Sequence, residues 1–290
     1  MTQYVLDVAA LSDAGVKRER NEDSWSGPPP NLTPEQKETK GQLYVVADGV
    51  GGHLAGEQAS ALAAETIQQH YYANPTLDAA ACLPTAIQAA NERICQDADA
   101  TLSQLGMSTT TTAAVLRGDE LTVANVGDSR TYLIRQKRAR QVTIDHSWVE
   151  EQVQFGLITR EEAAHHPHRN IITRSLGSNS ELQVDIFEEH VRPGDGVLLC
   201  SDGLSNMVSD QEISEIVSQG KGAEAIVHEL VELSKQRGAP DNVTAVLLKI
   251  EPARGCRGQT PIARGTLLTG LILLVIGILA LWILTQERKE

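Results

Sequence analysis

The sequence predicts an α+β protein, a sandwich of strands with helices packed outside it. Seven short apolar runs read as strands, at residues 43–47, 110–116, 121–126, 131–134, 182–187, 197–200 and 243–250. Four segments carry apolar residues at helical spacing. Strands and helices fall in groups, with helix pairs inserted between them, and strict β-α alternation is absent.

The helical segments are of two kinds. Residues 56–72 form one long pattern, and Leu83, Ile87, Ala90, Ile94, Ala98 and Leu102 form a second, at spacings of three and four. Residues 210–217 and 223–237 sit between the last strands. Arg117-Gly118-Asp119-Glu120 reads as the turn of a hairpin. The breaker cluster from Ser26-Gly27-Pro28-Pro29-Pro30 to Lys40 reads as an exposed loop, and residues 251–264, rich in Pro, Gly and Arg, as a juxtamembrane linker. Residues 265–286 carry no charge, and the 18 positions 267–284, at ~1.5 Å each, reach about 27 Å, close to a bilayer's hydrocarbon core. A transmembrane helix is expected there, followed by a short tail, 287–290. Lys249, Arg254, Arg257 and Arg264 before it, against Arg288 and Lys289 after it, place the main domain on the cytoplasmic side.

Composition narrows the function classes. With 290 residues, 41% hydrophobic and 22% charged, the chain can bury a core. The formal charge of −13 offers no basic face to nucleic-acid phosphates, so nucleic acid is not an expected partner. Cys82, Cys95, Cys200 and Cys256 form no C-x-x-C pair, and residues 1–10 lack a basic-then-apolar leader. Both point to a reducing, cytosolic compartment for the main domain.

Two apolar strands end alike, in Ala47-Asp48-Gly49 and in Cys200-Ser201-Asp202-Gly203. A buried strand that delivers an Asp at its exit, followed by a Gly that lets a carbonyl approach a ligand, suits a hard cation. Asp128, in Gly127-Asp128-Ser129-Arg130, and Asp241, in Pro240-Asp241-Asn242, also flank strands. Singly, each reads as a turn or a cap. As a set at one sheet edge they would repel one another unless cations lay between them, and a sequence does not display that gathering. Oxygen donors without Cys or His at zinc spacing point to magnesium or manganese. His165, His166 and His168, interrupted by Pro167, read as a soluble loop.

The order of motifs carries a resemblance. Gly15 to Asp23 with its Asn21-Glu22-Asp23, Asp48-Gly49-Val50-Gly51-Gly52-His53, Ser108-Thr109-Thr110, Gly127-Asp128-Ser129-Arg130, Asp145-His146-Ser147, Asn170 to Gly177, Ser201-Asp202-Gly203-Leu204 and Asp241-Asn242 stand in register. Together they resemble the metal-dependent protein phosphatase family (PPM, or protein phosphatase 2C) in its compact bacterial form, over about residues 3–250. The resemblance implies a four-layer αββα sandwich of two antiparallel sheets flanked by helices. It also implies a two-metal site, with Mn²⁺ or Mg²⁺, that hydrolyses phosphoserine and phosphothreonine on proteins by metal-activated water.

Carried over position by position, the resemblance makes Asp48 the bridge between both metals and the Gly49 carbonyl a ligand of one. Asp202 and Asp241 would hold the other, and Glu22 and Asp23 would serve the second metal directly or through water. Asp128 would help hold a third, weaker ion. Arg18 matches the arginine that grips the substrate phosphate, with Arg20 as a competitor. His53 is either an acid that protonates the leaving alkoxide or a structural hydrogen-bond former, and Val50 stands where many eukaryotic members carry a histidine. His146 reads as a loop-positioning residue. Residues 147–169 correspond to a mobile flap expected to contact substrate. The expected whole is a phosphatase domain at residues 1–250, tethered to the inner (cytoplasmic) membrane by one span, acting on phosphoproteins and opposing a Ser/Thr protein kinase. A non-catalytic phospho-reader on the same fold is disfavoured because all the main metal-ligand positions are acidic here, and a two-metal nuclease is disfavoured by the −13 charge.

Overall fold

The unbroken apolar runs are strands covered on both faces. In β3 (Gln42–Val50), Leu43, Val45 and Ala47 enter one core, while Tyr44 and Val46 enter another. β10 (Gly196–Cys200) sends Leu198 and Cys200 one way and Val197 and Leu199 the other, and β11 (Val243–Pro252) divides its residues likewise. Strands buried on both sides need apolar residues at consecutive positions, so they show no alternation. The computed structural model describes residues 4–50, 54–73, 78–100 and 106–253. The chain divides into two units, Met1–Pro252 and Ala253–Glu290; the two sheets and their helices belong to the first.

One antiparallel sheet runs in the order β1 (Tyr4–Asp13), β11, β10, β7 (Arg130–Arg135), β8 (Arg138–Gln141). The other runs β2 (Asp23–Ser26), β3, β5 (Thr111–Arg117), β6 (Glu120–Val126), β9 (Asp185–His190), with β4 (Ser108–Thr109) paired to β3. α2 (Leu54–Ala73) and α3 (Ala79–Ala100) cover the second sheet, through a core that includes Ala63, Ile67, Leu83, Ile87 and Val45. α7 (Asp210–Val217) and α8 (Ala223–Gln236) cover the first, through Ile213, Ile226, Leu230 and Leu247. A third core lies between the sheets. The layers are therefore α, β, β, α, as expected.

Several elements differ from the sequence reading. β1 and β2 are edge strands that no apolar run announced. β1 carries Asp7 at its middle, whose Oδ2 accepts from the Ala223 amide at the start of α8, 2.8 Å away. The run at 182–187 becomes a strand only from Asp185. Residues 30–39 are largely exposed as expected, whereas 26–29 are half-buried and Lys40 is buried, and the segment holds a short helix, α1 (Pro34–Thr39). It starts with Thr33 and Gln36 in a reciprocal capping box and Pro34 in the first turn, a signal the breaker cluster obscured. The flap segment is also largely helical: α4 (Trp148–Gln154) is capped by Ser147 and α5 (Arg160–Ala164) by Thr159. Between them Phe155 and Leu157 are exposed. The 117–120 hairpin is present, with Arg117 opposite Glu120. His53 and residues 254–290, with the expected span and tail and most of the linker, lie outside the described residues. Among the described residues no helix is long and apolar enough to cross a membrane.

Candidate metal centre

Strand pairing gathers the acids. β2 and β3 place Asp23 directly opposite Asp48. β10 ends where β11 begins, so Asp202, opening the one-turn helix α6 (Asp202–Ser205), and Asp241, just before β11, reach the same end of the sandwich. Asp23 bridges the two sheets: its Oδ2 accepts from Ser201 Oγ and Thr244 Oγ1, each at 2.7 Å. The Gly49 amide donates to the Glu22 carbonyl at 3.2 Å, and the Glu22 carboxylate passes so close to Gly56 that a Cβ there would stand 2.5 Å from Glu22 Oε2. Neither Gly49 nor Gly203 has a positive φ. The glycines after Asp48 and Asp202 thus serve close backbone approach; β3 runs straight on through Gly49 to Val50, whereas the chain does turn at Gly203, within α6.

Asn242 organises the N-terminal loop. Its Nδ2 donates to the carbonyls of Ala14 (3.0 Å) and Arg20 (2.8 Å), and its Oδ1 accepts from the Glu22 amide (2.8 Å). This hold brings Arg18 over the acids, where its Nη2 meets Asp241 Oδ2 at 3.0 Å. Arg20 instead points to Glu57 on α2, at 3.8 Å, so Arg18 is the arginine at the site. Ser201, Thr244, Asn242 and Gly56 are the residues the sequence reading gave no role. Ser201 and Asn242 adjoin quoted acids; nothing local marks Thr244 or Gly56, whose partners come from distant segments.

The protein phosphatase 2C family profile matches residues 17–247. The chain belongs to that family. Among its relatives is the serine/threonine protein phosphatase PstP of Mycobacterium tuberculosis, 39% identical over 247 residues, which cover 85% of this chain and 45% of the relative. The chain thus spans about half the length of that protein. The serine/threonine phosphatase stp of Listeria innocua is 35% identical over 82% of this chain and 93% of its own. Among solved structures, the catalytic domain of PstP in complex with two manganese ions matches with a TM-score of 0.73 and 37% identity, over 86% of this chain and 99% of that one. Stp1 from Staphylococcus aureus matches with a TM-score of 0.79 and 34% identity, over 85% and 96%.

Electrostatics sets this protein phosphatase 2C site apart from the rest of the fold. Burial, and then the Asp23, Asp202, Asp128 and Asp241 carboxylates, hold the Asp48 carboxyl well above the usual range. Burial pushes Asp23 up to about 7, against its two hydroxyl donors and with Asp202 and Asp241 adding to the rise. Asp128 is pushed to about 8 by burial, Asp202 and Asp145. Asp202 is pushed to about 6 by burial and Asp241, with a hydrogen bond to Asp48 opposing them. Two of these oxygens, Asp23 Oδ1 and Asp202 Oδ1, are buried with no hydrogen-bond partner. A buried, unpaired carboxylate oxygen is costly unless a cation or proton meets it.

The residues present therefore fit a hard divalent cation: carboxylates, a backbone carbonyl, and no thiolate or imidazole among the gathered groups. No three His, Cys, Asp or Glu groups among the described residues are already closed around one ion position, so the fit rests on donor chemistry and on the two unpaired oxygens. It has a thermodynamic consequence. Because folding raises these pKa values, the metal-free fold is favoured while the acids are protonated, and that contribution is lost as pH rises from about 4 through 6–8. Cation binding needs the ionised forms and gains over the same window. The melting temperature with Mn²⁺ minus that with EDTA is expected to widen by several °C between pH 5 and pH 8. A difference independent of pH in a thermal-shift series would contradict the assignment.

Proposed function

We propose that the chain is a Mn²⁺- or Mg²⁺-dependent phosphatase acting on phosphoserine and phosphothreonine of proteins. The observation that carries this reading is the gathering of Asp48, Asp202 and Asp241 with the buried Asp23 and Asp128, two of whose oxygens, Asp23 Oδ1 and Asp202 Oδ1, are buried and unpaired, beside an arginine. Asp48, the Gly49 carbonyl, Asp202, Asp241, Glu22 and Asp23 would hold two cations, and Asp128 a third. The chemistry such cations supply is Lewis acidity, which makes water acidic enough to attack at neutral pH and offsets charge on the phosphoryl oxygens. Ser201 and Thr244 fix the Asp23 carboxylate through one oxygen and leave the other buried and unpaired. Arg18 is held by Asp241 through Nη2, so its remaining N–H donors can fork onto two phosphate oxygens, a role that never depends on pH.

Protein substrates suit the cleft beside the acids. It encloses about 290 Å³ between Asp128 and Asp202 on one side and the flap residues Val149, Val153, Arg160 and Arg169 on the other. That space is wider than a phosphate ion needs. The relatives named as serine/threonine phosphatases support the same substrate class. Tethering through residues 265–286, with the domain on the cytoplasmic side of the inner membrane, and opposition to a Ser/Thr protein kinase complete the proposal. Their support is the uncharged 22-residue run with its flanking basic residues and the raised local concentration that tethering gives toward membrane-bound targets.

The test is phosphate release from p-nitrophenyl phosphate and from a phosphothreonine peptide, with Mn²⁺, Mg²⁺ or EDTA, and with Asp202→Ala as control. Metal-dependent turnover of both substrates, lost in the variant, is expected. No turnover from a folded, metal-loaded chain would overturn the reading and favour a phospho-reader. Recovery of the full-length chain in the soluble fraction of its cells would remove the tethering.

A further inference from the structure

The two ends of the flap and the loop that presents Asp128 meet at one buried histidine. His146 is 4% exposed and directly precedes Ser147, the N-cap of α4. Its Nδ1 accepts from the Gly127 amide at 3.1 Å, and its own amide donates to the Gly127 carbonyl at 2.9 Å. On the far side of the flap, the Thr173 amide donates to the His146 carbonyl at 2.8 Å, and Ser147 pairs with Ile172.

A ring nitrogen that accepts from an amide carries no proton, so the neutral ring keeps its hydrogen on Nε2. Nε2 faces Asp185 Oδ2 at 3.2 Å, and Arg174 Nη1 donates to the other oxygen of the same carboxylate at 3.0 Å. Arg174 Nη1 also lies 3.3 Å from Nε2. Two donors stand that close because both serve Asp185. Burial lowers the His146 pKa, with Asp185 opposing and Arg174 adding to the effect, so the ring is neutral. Gly127 needs the hold: its φ is +107°, where a Cβ would overlap Thr110.

We propose that His146 is a positioning residue: kept in one tautomer by the Gly127 amide at Nδ1 and by the Asp185 carboxylate, which Arg174 orients, at Nε2, it pins the Gly127 peptide and so fixes where Asp128 presents its carboxylate. The base of the flap and the Asp128 position are thereby one mechanical unit. This rests on the reading of Asp128 as a cation ligand.

The test uses the full chain and reads Mn²⁺ binding by titration calorimetry, with exchange of the Gly127 amide by NMR and melting temperature measured alongside. Asp128→Ala identifies the weak binding step. His146→Gln offers a donor near Nε2 but no acceptor at the δ position, Asp185→Asn removes the charge that faces Nε2, and His146→Asn restores an oxygen near Nδ1. His146→Gln and Asp185→Asn are expected to weaken that step by about 10-fold or more, as loss of a group orienting a metal ligand does, and to leave the tighter steps within about twofold. The Gly127 amide should exchange faster in His146→Gln and stay slow in His146→Asn, which recovers most of the affinity. If His146→Gln does not fold, the half-buried Asp185→Asn carries the test. A weak step unchanged in His146→Gln and Asp185→Asn, or His146→Asn no better than His146→Gln, overturns the proposal. An Asp128→Ala variant that titrates like the parent overturns the reading beneath it.

Discussion

Asp48→Asn should abolish metal-dependent phosphate release and, in the same protein, raise the melting temperature measured in EDTA. Asp48 is half-buried among Asp23, Asp202, Asp128 and Asp241, and desolvation followed by those four charges raises its pKa. The amide keeps the size of the carboxylate and can retain the hydrogen bond with Asp202. It carries no charge, so the repulsion that the metal-free fold tolerates is relieved, by an amount expected to show as a few °C. The same neutrality removes the group assigned to both cations, and turnover of p-nitrophenyl phosphate should fall by about 10³-fold, the scale of losing a main electrostatic stabiliser. Turnover above a tenth of the parent's, or an unchanged melting temperature in EDTA, would show that Asp48 is not the centre of the set.

Gly203→Ala should be nearly as damaging without touching a charge. A Cβ at Gly203 would fall on the Asn242 carbonyl oxygen and lie 3.0 Å from its carbonyl carbon. That neighbour is backbone, so no rotamer change relieves the overlap. α6 cannot retreat freely either, because the buried Ser234 hydroxyl donates to the Gly203 carbonyl at 2.8 Å. The Asp241-Asn242 loop must therefore move away from Asp202. Asn242 would carry Glu22 and the Arg18 loop with it, through its bonds to Ala14, Arg20 and Glu22. Overpacking of this kind costs about 1–3 kcal/mol, roughly 2–10 °C in a domain of this size. A displacement near 1 Å at reacting groups costs about 10²-fold in rate. Mn²⁺ affinity should drop at least about 10-fold by titration calorimetry, and parent-like affinity would show that the approach of α6 to the β11 entry does not set the site.

Much of the fold was legible because its central strands are buried on both faces. Residues 43–47, 197–200 and 243–250 stand out as continuous apolar runs since each supplies two cores at once. The edge strands were not legible, because β1 and β2 have one paired side and tolerate Asp7, Ser24 and Ser26. The acids that gather at the site stood out in the sequence as candidates, yet the supporting groups did not. Thr244 is an inconspicuous residue in an apolar strand, and it meets Asp23 only because β11 and β2 belong to different sheets stacked face to face. His146 stood out in the sequence as a loop-positioning candidate, but its partners Gly127, Asp185 and Arg174 did not.

The sequence by itself determined the layered α+β class and the four helical segments that cover the sheets, and it marked the acids as candidates. Those properties are local, written in hydrophobic period and in residues that follow strand ends. Only the tertiary structure decided that five carboxylates gather at one end of the sandwich with two buried, unpaired oxygens among them, that Arg18 rather than Arg20 stands over them, and that Gly49 and Gly203 serve close approach. These depend on which segments lie against each other across more than two hundred residues of chain, as Asp23 and Thr244 do. Electrostatic repulsion, burial and backbone overlap act through space, and none of them has a period along the chain.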